Sequence, residues 1–177
     1  MPEGKEGSPA AMNRTTVERK SDREFVVTRT FNAPARIVFE AWSKPELFKR
    51  WWVPKSAGMS LLSCDMDVRT GGAYRFVFSH PAFDQPMAFF GTYREVTPHK
   101  RLVWTNEDSD QGAVTTVTFE EDAGRTRVTL HELYPTKAGC DEALAGSAEA
   151  LPEQFAQLDE LLAVRSLPYR GTGVWKG

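Results

Sequence analysis

The sequence predicts an α+β fold in which a curved antiparallel sheet wraps around one long C-terminal helix. Between residues 60 and 133, short β-rich segments alternate with turn residues. From residue 136 to 164 the apolar residues recur at helical spacing instead. A single helix with one apolar face must bury that face on a sheet, and the sheet must curl to cover it.

The first predicted elements are a strand and two short helices. Glu24–Phe31 alternates and is rich in β-branched and aromatic residues, which predicts a strand. Asn32 is a plausible N-cap and Pro34 lies in the first turn of the helix that follows. A second short helix is expected from residue 45 to about residue 51, because Pro54 ends it.

Six further strands are predicted, at residues 61–68, 74–79, 87–96, 102–106, 113–121 and 126–133. The segments are short and separated by turn residues, which is typical of antiparallel neighbours. The clearest hairpin signal is Asp122-Ala123-Gly124, between the last two strands.

The last element is a long amphipathic helix over residues 136–164. Its apolar stripe steps by three and four residues through Leu144, Ala148, Leu151, Phe155, Leu158 and Leu162. Pro152 lies inside the stripe, so we expect the helix to bend there.

Both ends of the chain are predicted to be tails around one domain at residues 23–164. Residues 1–22 are rich in Gly, Pro, Ser and charge, which predicts disorder. Residues 165–177 contain Pro and Gly without helical periodicity, which predicts a C-terminal tail. Met1 and Met12 are both possible starts.

Composition excludes several classes of protein. The net charge of −2 and the absence of a basic stripe argue against nucleic-acid binding. No run approaches the roughly 20 apolar residues that cross a bilayer, and no apolar leader segment is visible. Two cysteines without CxxC spacing predict reduced thiols, so we expect a cytoplasmic protein.

Five stretches together resemble a known superfamily: RTFNAPARIVFEAWSKPELFKRWWVP, DVRTGGAYRF, FGTYREVTPHKRLVWT, GRTRVTL and QLDELLA. They cover roughly residues 23 to 163 and resemble the START-like (helix-grip, Bet v 1-like, SRPBCC) superfamily. More narrowly, the chain resembles bacterial single-domain proteins related to the C-terminal domain of the Hsp90 ATPase activator. The resemblance implies a cavity between the long helix and the sheet, with the two short helices at one mouth.

Strand alternation predicts which side chains face this interior. Leu62 and Cys64 are expected inside with Met66, and Gly91 is expected to leave room between its neighbours. The predicted ligand-binding residues are Trp52, Met66, Tyr74, Phe76, Phe78, Met87, Phe89, Tyr93, Trp104, Glu132, Leu144, Leu151 and Phe155. Such an aromatic set is typical of either a plain core or a small-molecule pocket.

Polar residues on the inner face separate those two interpretations. Tyr74, Tyr93, Asn106 and Glu132 would each need a buried partner or a ligand. Glu132 is the preferred marker, because burial without a partner raises the pKa of a carboxyl group. Its alternative is a solvated position at the end of a strand.

The adjacent tryptophans of FKRWWVP cannot share one helix face, since successive side chains are about 100° apart. We expect Trp51 to anchor the segment in the core and Trp52 to reach the cavity mouth.

No catalytic residue, metal site or cofactor is predicted. HELYP lacks the second histidine of a zinc helix, and GGAYR lacks the Lys-Ser/Thr of a phosphate-binding loop. A metal site from His80, His131 and Asp65 is conceivable but disfavoured.

Three functions therefore stand side by side. The first is binding of a small hydrophobic ligand, aromatic or acyl. The second is a polyketide cyclase or aromatase-like enzyme using the same cavity, and the third is a chaperone interaction. Whether the protein is an enzyme is left open, and a homodimer is possible because open sheets leave edges to cover.

Overall fold

The computed structural model describes residues 14–165. Its elements are β1 (Thr16–Ser21), β2 (Glu24–Phe31), α1 (Ala35–Ser43), α2 (Pro45–Phe48), a 3₁₀ helix (Lys55–Ala57), β3 (Ser60–Met66), β4 (Ala73–Ser79), β5 (Met87–Thr97), β6 (Arg101–Thr105), β7 (Val114–Asp122), β8 (Arg125–Leu133) and α3 (Lys137–Arg165). The predicted α+β order is confirmed, with β1 and the 3₁₀ helix added.

All eight strands form one curved antiparallel sheet in the order β1-β2-β8-β7-β6-β5-β4-β3. The register shifts in β1, β3 and β5. Such bulges bend a strand and increase its local twist, which helps a sheet to curl. The predicted sheet around a C-terminal helix is therefore confirmed.

The core lies between the concave face of this sheet and the C-terminal half of α3. Leu151, Phe155, Leu158 and Leu162 are buried there in one core cluster with inner side chains of β2, β7 and β8. Burying each such side chain contributes about 2 kcal/mol. The N-terminal half of α3 differs from its prediction, since Leu144 is only half-buried and Ala148 is exposed.

A buried ion pair also joins α3 to the sheet. Arg29 points inward from β2, and its guanidinium lies 3.1 Å from the Asp159 carboxylate. A second guanidinium N–H donates to the Thr15 hydroxyl at 3.0 Å. Removing one partner would leave the other charge partly buried and unpaired, which is the costly case.

The prediction that Asn32 caps α1 was wrong. Pro34 occupies the N-cap position, and no side chain caps the helix locally. Instead the Glu121 carboxylate, at the end of β7, accepts the Ala35 N–H at 2.9 Å. A carboxylate at a helix N-terminus satisfies an orphan donor and interacts favourably with the helix dipole.

Strand β1 corrects part of the predicted N-terminal tail. Thr16–Ser21 pairs with β2 at the edge of the sheet, although residues 1–22 were predicted to be disordered. Its side chains are exposed except for the half-buried Val17, so it lacks the alternating pattern of a core strand. Charged side chains are typical of a protected sheet edge. The rest of the predicted tails, residues 1–13 and 166–177, lies outside the described residues.

Strand β3 corrects a prediction of side-chain direction. The register shifts between Leu61 and Ser63, which reverses the alternation at that point. Leu62, expected inside, is 56% exposed, whereas Leu61 packs against the core.

Residues 51–56, here called the tryptophan loop, are held by polar side chains of α3. The Gln157 amide donates to the carbonyls of Trp51 (3.0 Å) and Val53 (2.9 Å) and accepts the Lys55 N–H (2.9 Å). Gln154 donates to the carbonyl of Trp52. Glu153 accepts the Ser56 N–H at 3.0 Å.

We expect Gln157→Ala to lower the free energy of unfolding by about 2 kcal/mol, because it leaves buried loop carbonyls without a donor. Urea denaturation measures the change. Gln85→Ala, at an exposed position, is the matched control and should stay within about 0.5 kcal/mol of the wild type. Equal effects of the two substitutions would contradict the role of Gln157.

Candidate functional site

A cavity of about 270 Å³ lies between the short helices, the tryptophan loop and the sheet. Its wall is formed by Trp42, Phe48, Trp52, Val53, Pro54, Met59, Tyr74, Phe76, Phe78, Phe89, Tyr93, Trp104, Asn106 and Gln154. Nine of these residues are aromatic and none carries a charge at neutral pH, so the wall is mainly apolar.

Strand β4 supplies one side of the wall by simple alternation. Tyr74, Phe76 and Phe78 point inward and are buried, as predicted. Gly91 lies opposite on β5, where an added Cβ would come within 1.8 Å of the Thr105 carbonyl oxygen and 2.8 Å of the Tyr74 hydroxyl. Only glycine fits this close approach, and the space above it is filled by Thr105 and Tyr74.

Seven of the predicted ligand-binding residues lie on the wall, and their contact with a ligand stays a prediction. They are Trp52, Tyr74, Phe76, Phe78, Phe89, Tyr93 and Trp104.

The structure does not bring the other six to this wall, which are Met66, Met87, Glu132, Leu144, Leu151 and Phe155. Leu151 and Phe155 are buried in solid core, where Phe155 packs on the rings of Phe31 and Trp42. Met66 and Met87 lie at strand ends, and Leu144 lies on the less buried half of α3.

The sequence did not predict six wall residues: Trp42, Phe48, Val53, Pro54, Met59 and Gln154. All come from helices or loops, where strand alternation carries no information. The apolar face of α1 included Trp42, which was a usable signal for burial but not for the cavity. Asn106 was recognised as an inner polar residue.

The two adjacent tryptophans divide as expected. Trp51 is 0% exposed and its indole N–H donates to the Ala41 carbonyl at 2.9 Å. Trp52 is half-buried on the cavity wall and stacks on Phe48, with ring centroids 4.7 Å apart.

A chain of hydrogen bonds leads from the wall to Glu132. The Tyr74 hydroxyl donates to the Thr105 carbonyl at 2.7 Å and lies 3.0 Å from the Asn106 side-chain oxygen. The Asn106 amide donates to the Thr115 hydroxyl at 3.3 Å, and that hydroxyl donates to Glu132 Oε1 at 2.6 Å. The Tyr74 hydroxyl and the Asn106 amide N–H groups thus donate to acceptors within the protein.

Glu132 lies at the inner end of β8, behind the wall rather than on it. Burial raises the pKa of its carboxyl to about 7, and the hydrogen bond from Thr115 opposes that rise. His131 points to the opposite face, where its Nε2 lies 3.3 Å from the Glu24 carboxylate.

The disfavoured metal site does not assemble. Across residues 14–165, no group of three or more His, Cys, Asp or Glu side chains is placed to hold a metal ion. Cys64 and Cys140 are both free thiols. Within the same residues, no helix is long and apolar enough to cross a membrane.

An antiparallel sheet curled around a C-terminal helix, with two short helices after the first strands, places the protein in the helix-grip class. Residues 32–163 match the family model described as activator of Hsp90 ATPase homolog 1-like protein. Since the match spans most of the chain, the protein belongs to this family. No curated protein matches the chain.

Solved bacterial structures share this fold. A crystal structure from Nitrosomonas europaea is 25% identical, with a TM-score of 0.74, and the match covers 82% of this chain and 97% of that one. One from Rhodobacter sphaeroides is 22% identical, with a TM-score of 0.77, covering 85% and 99%. The solution structure of the AHSA1-like protein of Aeromonas hydrophila is 19% identical, with a TM-score of 0.64, covering 81% and 98%.

Glu132 should make stability fall as pH rises. Its folded pKa lies above the ordinary value of 4.5, so the folded state binds the extra proton, and stability is lost between about pH 4.5 and 7. Because the side chain is partly exposed, we expect a loss of about 2 kcal/mol. Urea denaturation across this pH range measures it.

Glu132→Gln should remove this loss, whereas Glu120→Gln, at an exposed position on β7, should preserve it. A Glu132→Gln variant with the pH dependence of the wild type would show that the carboxyl titrates normally.

The paired tryptophans should differ in their effect on stability. Trp51→Ala removes a fully buried ring and its hydrogen bond, and should cost about 4 kcal/mol of unfolding free energy. Trp52→Ala removes a half-buried ring next to existing space, and should cost about 1 kcal/mol. Chemical denaturation compares the two, and equal losses would show that both are core residues.

Proposed function

We propose that this protein binds a small apolar ligand, aromatic or acyl, in the cavity behind the tryptophan loop. The observation that carries this proposal is the wall itself, which is mainly aromatic, has no charged side chain and surrounds about 270 Å³ of space. Apolar cavities with few, well-placed polar groups are the usual sites for small molecules.

The size of the cavity limits the ligand. An apolar cavity of roughly 150 Å³ is enough for benzene. The cavity here is larger, so it suits one or two fused rings, or a short acyl chain. Aromatic wall residues favour flat ligands, because aromatic rings prefer stacked or edge-to-face neighbours.

A cyclase-like or aromatase-like enzyme has less support. Such chemistry needs a proton donor and acceptor that converge on the substrate. The titratable residues on the wall are Tyr74 and Tyr93, and burial raises the pKa of both, so both stay protonated. Glu132 is connected to the wall only through Thr115 and Asn106.

The family description names the Hsp90 ATPase, but no feature of the described surface favours a chaperone as partner over the cavity as the site. A homodimer joined at a sheet edge likewise stays a prediction.

A cavity-filling variant tests the proposal with indane, a two-ring hydrocarbon, as the probe. Phe78 is buried on the wall, so Phe78→Trp must push its larger ring into the space. We expect at least tenfold weaker binding of indane by isothermal titration calorimetry. The matched control is Phe90→Trp, because Phe90 is exposed on the same sheet and should leave indane binding unchanged.

Native mass spectrometry of protein purified from its own host provides the second measurement, as a co-purifying small molecule would support the proposal directly. Wild-type protein that neither binds indane nor carries such a molecule would contradict it.

A further inference from the structure

Two polar groups on the cavity wall have no hydrogen-bond partner among residues 14–165. Tyr93 and Trp104 are 4% and 8% exposed and both line the cavity. Neither the Tyr93 hydroxyl nor the Trp104 indole N–H makes a hydrogen bond to any residue between 14 and 165. Neither atom is among the fully enclosed unpaired atoms of these residues, so both stay accessible to a small molecule.

Strand pairing makes the two residues neighbours. Tyr93 on β5 is the direct register partner of Trp104 on β6, and their ring centroids are 6.2 Å apart. Both side chains therefore leave the sheet on the same face, side by side. The other donors nearby, the Tyr74 hydroxyl and the Asn106 amide N–H groups, already donate within the protein.

Both groups can donate a hydrogen bond to a ligand. An indole N–H can only donate, and the Tyr93 hydroxyl stays protonated because burial raises its pKa. No positively charged side chain lies on the wall, so an anionic group would lose its hydration without compensation. A neutral acceptor oxygen avoids that cost.

From this geometry we infer that the ligand carries a neutral acceptor, of the ketone or ester class, which Tyr93 and Trp104 bind by donating hydrogen bonds. The inference rests on the proposed function and adds the polar group that the ligand must present. The aromatic wall binds the apolar part, and the β5–β6 pair fixes the orientation of the carbonyl.

Two other wall groups do not take this role. The Trp42 indole N–H is also unpaired, but its nitrogen is completely enclosed by protein atoms, so a ligand does not reach it. The Gln154 amide donates to the Trp52 carbonyl and belongs to α3, a different part of the wall from the strand pair.

The test compares 1-indanone with indane, which differ only by a carbonyl in place of a methylene group. We expect wild-type protein to bind 1-indanone about tenfold more tightly by isothermal titration calorimetry, which corresponds to one good hydrogen bond. Tyr93→Phe removes only the hydroxyl, and should weaken 1-indanone about tenfold while leaving indane unchanged. Trp104→Phe should also lower the preference for 1-indanone over indane.

A control shows whether Tyr93→Phe affects folding. Because the Tyr93 hydroxyl has no partner in the described part of the chain, Tyr93→Phe should unfold in urea at the wild-type midpoint. Tyr134→Phe, which lies off the wall, is the matched control and should keep the affinity for both probes.

The possible failures are distinguishable. If both probes bind wild-type protein equally, or if Tyr93→Phe weakens both by the same factor, the inferred acceptor site is wrong while the proposed function stands. If neither probe binds, the inference is wrong, and if in addition no small molecule co-purifies from the host, the proposed function is wrong as well.

Discussion

The contact between α3 and the tryptophan loop is the interaction on which the cavity depends. One turn of α3 presents Glu153, Gln154 and Gln157, and these side chains bind backbone groups of residues 51–56. A loop whose carbonyls are bound in this way holds Trp52 at the rim instead of letting it collapse inward. Apolar side chains around open space gain free energy by packing together, and this contact opposes such a collapse.

The two halves of α3 differ in burial. Its C-terminal half buries Leu158, Leu161 and Leu162 in the core and so stabilises the fold. Its N-terminal half is mostly exposed from residue 141 to residue 149. The cavity is therefore closed mainly by the short helices and the tryptophan loop, and its shape follows from aromatic packing around Trp42 and Phe48.

Much of the fold could be predicted because local pattern and tertiary environment agree. Strand β2 has the predicted bounds, and Tyr74, Phe76 and Phe78 face inward as alternation requires. Predictions failed where a β-bulge reversed the in-and-out alternation of side chains, or where a strand had no alternation of apolar and polar residues. The register shift in β3 exposed Leu62, and the polar β1 strand carried too little alternation to be recognised.

The sequence by itself determined the order of elements, the burial of an aromatic strand face and the separate roles of Trp51 and Trp52. These follow from side-chain periodicity, which is a property of the local chain.

Only the tertiary structure decided where open space remains. It placed Leu151 and Phe155 in solid core, moved Glu132 behind the wall and brought Trp42, Met59 and Gln154 to the cavity. It also showed which polar groups are satisfied, because the partners of Tyr74 lie about 30 residues away and those of Tyr93 are absent from the described chain. Packing space and hydrogen-bond partners are relations between distant segments, and no local pattern encodes them.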